Sequence, residues 1–227
     1  MKDFLILKLQ GAMQAWGEHT FEDFRPSYVF PTRSSVVGLL GACLGIDREE
    51  ISKREDLNNS FELTIISTKR KIKKNSYNKE VINYLPIRKI TDFHTVLDGR
   101  KADGKARKEA IISHREYLCD AEFTLILDFK ENAVYKVNDI KKAIDDPVFT
   151  PFLGRRSCPL HRPLFDKIVT AENIQQALEQ LSESGVIYSE NKEVGGFPMQ
   201  IRDVPVNSKV RQFINRTIYI FGENNVS

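Results

Sequence analysis

Two stretches of this 227-residue chain set guanidinium groups where an anion would fit. The first is Phe30-Pro31-Thr32-Arg33-Ser34-Ser35, directly ahead of the apolar run Val36-Val37-Gly38-Leu39-Leu40-Gly41-Ala42-Cys43-Leu44-Gly45-Ile46. The run reads as a helix. Thr32, Ser34 or Ser35 can cap it, because a hydroxyl accepts from a backbone N–H that lacks a helical partner. Free N–H groups, the helix dipole and Arg33 would then converge at one mouth. The second stretch is Gly154-Arg155-Arg156-Ser157, preceded by Phe149 and Phe152. Glycine lets the backbone approach a ligand, arginines pair with phosphates, and rings stack on bases. The plain alternatives are a docked helix with an arginine facing water, and a turn with exposed arginines.

Charge distribution points the same way. Net charge is only +3, but residues 69–108 hold 13 Lys and Arg against 4 Asp and Glu, a local +9 that leaves the rest at −6. A basic segment on an acidic body suits a polyanion; the alternative is a lysine-rich solvated loop. Trp16, the single tryptophan, sits between Gly11 and Gly17 and is either a lid on the core, the reading that the usual burial of tryptophan favours, or a stacking surface. Residues 18–30 show no period, and interleave Phe21, Phe24, Tyr28 and Phe30 with His19, Arg25 and acids.

Other chemistries find little support. Cys43, Cys119 and Cys158 are widely spaced and read as apolar core residues of a reduced protein. Asp145-Asp146 and Asp47-Arg48-Glu49-Glu50 lack convergent His or Cys, so no metal site is expected. The glycines of 38–45 lack the Lys-Ser/Thr ending of a phosphate-binding NTPase loop. The N-terminus reads as an alternating strand and not as a secretory leader, and no apolar run approaches the ~20 residues of a membrane span.

The positioning elements follow from periodicity. Lys2–Gln10 alternates, with Phe4, Ile6 and Lys8 on one face and Leu5, Leu7 and Leu9 on the other. The helix from about Ser34 follows, its glycines spaced three and four apart so that a sheet can come close. Phe61–Thr68 is a second strand. Residues 69–114 read as an inserted, hairpin-like basic arm. Arg115–Asp120 leads into a strand from Ala121 to Phe129. A short helix over Val137–Asp146 follows, with Asn138 as its cap and Pro147 as its stop. A further strand would complete βαββαβ, a ferredoxin-like α+β sheet and a common RNA platform. Ala171–Ser182 is a last amphipathic helix. Gly185–Ser189, Phe197–Val204 and Arg216–Phe221 read as a smaller C-terminal sheet, giving a core of 1–165 and a β-rich part of 166–227.

Six ordered blocks carry a resemblance. They are Met13-Gln14-Ala15-Trp16-Gly17, Phe30-Pro31-Thr32-Arg33-Ser34, Gly38-Leu39-Leu40-Gly41-Ala42-Cys43-Leu44-Gly45, Asp92-Phe93-His94-Thr95-Val96-Leu97, Arg115-Glu116-Tyr117-Leu118-Cys119-Asp120 and Thr150-Pro151-Phe152-Leu153-Gly154-Arg155-Arg156-Ser157-Cys158-Pro159-Leu160. Together they resemble the CasD family, the fifth-class Cas subunits of the type I-E Cascade complex of CRISPR immunity. The resemblance implies an RRM-like RAMP core, a thumb at the arm, and a cytoplasmic prokaryotic ribonucleoprotein without cofactors. It implies a grip on the 5′ handle of the CRISPR RNA and contacts with the backbone and large subunits. Target DNA would be met only through the complex, and no membrane is involved. Carried over from matching blocks are Gln14, Trp16, Arg33, Ser34, His94, Arg115, Phe152, Arg155, Arg156 and Ser157; Arg25, Ser35 and Phe149 join them as RNA-facing candidates. Phe149 and Phe152 stand where the family is expected to have tyrosines, which preserves stacking but not a hydroxyl bond. In the thumb the candidates are Lys71, Lys73, Lys74, Arg88, Lys89, Arg100, Lys101, Arg107 and Lys108.

The leading expectation is therefore an RNA-binding subunit with no catalytic residue. Its rival is a metal-independent endoribonuclease, since some of the wider family cleave this way. That chemistry needs a base for the 2′-OH proton and an acid for the leaving oxygen; candidates are His94, His114, Tyr117 and Lys108. His19 and His161 read as surface residues. A structural adaptor whose arm binds protein acids is a third reading.

Overall fold

Alternation in the first strand sets the layers. In β1 (Lys2–Gln10), Leu5, Leu7 and Leu9 belong to one buried cluster and Phe4 and Ile6 to another. Successive side chains of a strand face opposite ways, so this sheet is covered on both faces. The computed structural model describes residues 1–20, 22–68, 70–76, 79–97, 99, 110–206 and 212–222; for 70–76 and 79–85 it describes the backbone.

Four two-residue strands follow: β2 (Met13–Gln14), β3 (Trp16–Gly17), β4 (Phe24–Arg25) and β5 (Ser27–Tyr28). Helix α1 (Arg33–Leu44) is capped by Thr32, one of the three hydroxyl candidates. A second helix, α2 (Ile51–Asn59), is not anticipated from the sequence, since its only buried residues are Leu57 and Asn58 and leave little apolar period. Next come β6 (Phe61–Thr68), β7 (Arg70–Ser76), β8 (Lys79–Leu85), β9 (Arg88–Val96), β10 (Ile111–Cys119) and β11 (Glu122–Phe129). Helix α3 (Val137–Asp145) begins one residue before Asn138; the carboxylate of Asp139 accepts from the Lys136 N–H at 2.9 Å and takes the capping part expected of Asn138. The chain ends with β12 (Phe165–Ala171), α4 (Ile174–Leu181), β13 (Gly185–Ser189), β14 (Phe197–Val206) and β15 (Gln212–Phe221).

The main sheet has seven strands in the order β12-β1-β11-β6-β13-β15-β14, and every neighbouring pair is antiparallel. The fold is α+β. One face is covered by α1, α2 and α3 through Val36, Leu40, Leu57 and Ile140; the other by α4 through Ile174, Ala177 and Leu181. Lys8 is buried on the α4 face and donates to Thr124 Oγ1 at 2.6 Å and Glu183 Oε1 at 2.5 Å.

Two expectations are corrected. The C-terminal strands form no sheet of their own: β13 pairs with β6 along Gly185↔Thr68 to Ser189↔Thr64 and continues the main sheet, while β12 crosses the expected boundary at 165/166 to pair with β1. The join is tight, since a Cβ at Gly185 would stand 2.1 Å from the Ser67 carbonyl oxygen. The glycines of α1 do not admit a sheet either. A Cβ at Gly38 would meet nothing within 4 Å, at Gly41 only ordinary contacts with Leu57 at 3.8 Å and Ile46 at 4.0 Å, and at Gly45 the Val148 side chain at 2.9 Å, which belongs to no strand.

The basic segment is strand-rich. β7 and β8 pair as a separate antiparallel ribbon, and β9 pairs antiparallel with β10 from Val96↔Ile111 to Arg88↔Cys119. β10 thus runs on past the expected end of the arm at 114. It also takes β2 as an antiparallel and β4 as a parallel neighbour, which roots the ribbon in the body.

The thiols are a simple check on burial. Cys43 and Cys158 are buried and Cys119 half-buried. Burial pushes the Cys43 thiol up to about 11. It pushes Cys158 up too, outweighing the Ser157 hydroxyl and the Arg155 charge that pull it down. Because the thiolate is the reactive form, native protein at neutral pH should take up maleimide at Cys119 alone, and at all three cysteines in urea. Fast modification of Cys43 in native buffer, seen by peptide mass spectrometry, would contradict the packing around α1.

Candidate nucleic-acid interface

The Gly-Arg-Arg-Ser stretch is a bend pinned at both ends. Leu153 and Cys158 are fully buried, and Leu153 N–H donates to the Cys158 carbonyl at 2.8 Å. Cys158 N–H in turn donates to the Arg155 carbonyl at 2.8 Å, and Ala15 N–H donates to the Leu153 carbonyl at 3.1 Å. Gly154 has φ +83°, in the left-handed region. Anchored this way, the bend turns Arg156 and Ser157 to solvent and leaves Arg155 half-buried.

Arg155 is aimed by neutral groups. Its Nη1 donates to the Glu116 carbonyl at 3.1 Å and its Nη2 to the Arg25 carbonyl at 3.3 Å. Its guanidinium carbon lies 4.5 Å from the Tyr117 ring centroid, in cation–π range. The Tyr117 hydroxyl meets His94 Nε2 at 3.2 Å, and the same nitrogen is 2.8 Å from Asp92 Oδ2. Register sets Arg115 beside Arg25 on β4 and Asp92 on β9. Arg115 Nε donates to Ser113 Oγ at 3.1 Å, and Arg25 Nη1 to the Glu22 carbonyl at 2.5 Å. Among the described residues no carboxylate forms an ion pair with Arg25, Arg115, Arg155 or Arg156. The neighbouring Glu116 is already engaged. Burial raises its pKa, but the Ser27 N–H at 3.0 Å and Lys89 at 3.1 Å outweigh this and hold it below the usual carboxylate value. Four arginines thus bring positive charge with N–H donors left over, which is what pairing with phosphate requires.

Arg33 is not part of this group, and the expectation for it is corrected. It is 5% exposed. Nη1 donates to both carboxylate oxygens of Glu190 at 2.6 Å, Nε to Asn58 Oδ1 at 2.9 Å, and Nη2 to the carbonyls of Phe61 (3.0 Å) and Asn58. The helix mouth does hold an anion, but an internal one: Arg33 N–H donates to Asp203 Oδ2 at 2.7 Å. Ser34 and Ser35 are half-buried around the Thr32 hydroxyl, at 3.3 and 2.7 Å.

Trp16 and Gln14 are corrected likewise. Trp16 is 1% exposed, edge-on to Phe123 with centroids 6.4 Å apart, so it is the lid and not a stacking surface. Gln14 is fully buried, its Nε2 donating to the Ala121 carbonyl at 2.6 Å. Strands β2 and β3 pair with β10 and β5, which turns both side chains inward. Phe152 (37% exposed) flanks the bend, whereas Phe149 (48%) is tied by its N–H to the Ala42 carbonyl at the far end of α1.

In the arm, Arg88 is exposed at the base of β9, and Lys89 is held by Glu116 and by the Ser27 carbonyl at 2.6 Å. Lys71, Lys73 and Lys74 lie on β7, with Tyr84, Ile82 and Val81 as register partners. Arg100, Lys101, Arg107 and Lys108 lie outside the described residues. The proposed acid–base set converges only in part. His94 and Tyr117 share one face of the β9–β10 ribbon, while His114 is on the other, its Nδ1 3.4 Å from Asp23 Oδ2. Among the described residues no group of three or more His, Cys, Asp or Glu is placed to hold a metal ion, and no helix is long and apolar enough to cross a membrane. Tyr117 is the residue the sequence reading undervalued as a binding element; its signal is its place two positions after Arg115 on one strand face.

Comparisons with known proteins bear on the family and the fold. The family model described as CRISPR-associated protein (Cas_Cas5) matches residues 4–220. The CRISPR system Cascade subunit CasD of Escherichia coli (strain K12) is 40% identical over 228 residues, covering 97% of this chain and 96% of its own. The fold is similar to a chain of a CRISPR RNA-guided surveillance complex, with TM-score 0.70, 24% identity, and 96% of this chain and 89% of that one covered. It is also similar to a Cas protein known from a crystal structure, with TM-score 0.60, 21% identity, and coverage of 97% and 93%.

Proposed function

The chain belongs to the CRISPR-associated Cas5 family, and from that premise we propose that it is a non-catalytic subunit of a Cascade surveillance complex, holding the 5′ handle of the CRISPR RNA at one end of the backbone. The observation that carries this reading is the pinned bend: Arg155 aimed by two carbonyls and an aromatic ring, Arg156 free beside it, and no carboxylate paired with either among the described residues. The strands β12-β1-β11-β6 with α1 and α3 on one face form the ferredoxin-like RAMP core, and β7 to β10 form the basic thumb. The handle lies over the bend, where Arg25, Arg115, Arg155 and Arg156 neutralise phosphates and Phe152 offers a ring to a splayed base. The backbone and large subunits are its protein partners, and it works in the prokaryotic cytoplasm. His114 lies on the face opposite His94 and Tyr117 and so does not share one phosphodiester with them, which leaves His94 and Tyr117 as the pair the nuclease reading would need.

Titrating the complex, or the chain alone, with handle RNA at several salt concentrations tests the reading. Arg155→Ala with Arg156→Ala should weaken binding at least tenfold and lower the salt slope by about 1.4, two phosphates at about 0.7 each on a single strand. An unchanged slope would remove the bend from the interface. Incubation with repeat RNA in EDTA should leave the RNA intact; cleavage abolished by His94→Ala would favour the nuclease.

A further inference from the structure

One acid stands among the arginines of the site. Asp92 on β9 is the register partner of Arg115 on β10, and Arg115 is in turn the partner of Arg25 on β4. A carboxylate beside a phosphate-binding surface repels the ligand. Among the described residues Asp92 nonetheless forms no ion pair with either arginine; its Oδ2 lies 2.8 Å from His94 Nε2. A carboxylate at that distance accepts a hydrogen bond, which fixes a proton on Nε2. The Tyr117 hydroxyl lies 3.2 Å from the same nitrogen, and the imidazole and phenol rings are 29° from parallel with centroids 6.3 Å apart. Tyr117 is 3% exposed, and a buried hydroxyl left without a partner is costly. On its far side the Tyr117 ring carries the Arg155 guanidinium.

We propose that Asp92 and His94 are positioning residues of the handle site: they hold the Tyr117 ring, and the ring seats Arg155. The two carbonyls that also aim Arg155 belong to Glu116 on β10 and Arg25 on β4, so paired strands fix them. The ring is the support that a side-chain torsion can turn, and the end that would swing is the hydroxyl His94 meets. The series Asp92, His94, Tyr117, Arg155 therefore delivers order and not charge to the bend. It accounts for an acid kept among arginines, since the carboxylate is needed to orient the imidazole. It also gives His94 and Tyr117 a part that breaks no bond and requires no contact between His94 and RNA. The inference rests on reading the bend as the handle site.

Position and charge predict opposite signs for the acid. Asp92→Ala takes a negative group from an anion-binding surface, so charge alone would tighten the binding of handle RNA to the intact chain; loss of position weakens it. His94→Ala should weaken it about fivefold, because the ligand must then order the Arg155 side chain itself. The salt slope should keep its wild-type value, since no phosphate partner is removed. His94→Gln retains an N–H near the place of Nε2 and should bind like wild type. Tyr117→Phe keeps the ring, loses the hydroxyl and should match His94→Ala; being nearly isosteric, it carries the test if the alanine variants unfold in urea too early to assay. In an Arg155→Ala background neither Asp92→Ala nor His94→Ala should weaken binding further, as residues acting through one another are not additive. Tighter binding by Asp92→Ala, wild-type binding by both His94→Ala and Tyr117→Phe, or a His94→Ala effect undiminished in Arg155→Ala would each overturn the proposal, the last by making His94 a direct RNA contact. Wild-type binding by Arg155→Ala itself would mean that the bend reading had failed first.

Discussion

Arg33→Ala should lower the unfolding free energy by ~3–5 kcal/mol. Four ionised side chains meet at the mouth of α1. Glu190 takes two bonds from Arg33 and one from Arg216 Nη1 at 2.8 Å, and Asp203 takes Arg216 Nε and Nη2 at 2.6 and 2.7 Å. Their side chains are 2–15% exposed. Burial alone would lower the Arg216 pKa; the bonds to Asp203 and the charge of Glu190 reverse that and raise it. Two cations and two anions sum to zero, so removing any one leaves a net charge away from water. Removing Arg33 also strips the Phe61 and Asn58 carbonyls of a donor and the Phe61 ring of a cation 5.0 Å away. Since a domain is stable by only ~5–15 kcal/mol, the variant should unfold at much lower urea, and Trp16, the single tryptophan and a buried one, reports the transition. Arg33→Met with Glu190→Gln removes opposite charges together and should cost less than the two single changes added. Wild-type urea stability in Arg33→Ala, joined to weak handle binding, would return Arg33 to the RNA interface.

This site shows where sequence reasoning reaches and where it stops. The chemistry at Arg33 was legible: a capped helix mouth beside a guanidinium does gather anions. The identity of the anions was not, because Asp203 and Glu190 lie 170 and 157 positions away and come close through the β13–β6 pairing and, for Asp203, the β15 and β14 pairings that follow it. The same pairing explains why the C-terminal strands, legible one by one from alternation, were assigned to the wrong sheet. Trp16 and Gln14 sit on two-residue strands, too short to leave a period, so a Gly-bounded loop hid two inward side chains. The bend was legible because Gly154-Arg155-Arg156-Ser157 shows its chemistry in residue types. What aims Arg155 was not, since the Glu116 and Arg25 acceptors are main-chain carbonyls, the same whatever the side chain.

Gly154→Ala should disable the bend more thoroughly than loss of either arginine. A Cβ there would stand 1.8 Å from the Ala15 carbonyl oxygen, 2.8 Å from its carbon and 3.4 Å from Trp16 Cε3. The first two are main-chain atoms next to a buried tryptophan, so nothing flexible can yield. The φ of +83° adds strain of its own for any residue with a Cβ. Strain and overpacking together should cost ~2–5 kcal/mol. The cheapest escape is for the bend to lift from the Ala15–Trp16 backbone. That breaks the Ala15 N–H bond to Leu153 and carries Arg155 away from the Glu116 and Arg25 carbonyls and the Tyr117 ring. Arg155→Ala keeps the bend seated and should retain wild-type urea stability while losing one phosphate contact. Gly154→Ala keeps both arginines yet should bind handle RNA more weakly than Arg155→Ala, because an unaimed guanidinium must be ordered by the ligand itself. Measured side by side, urea midpoints and handle affinities distinguish charge from placement. If Gly154→Ala bound the handle as tightly as wild type, the arginines would be acting as loose charges, and the pinned geometry would have no part in recognition.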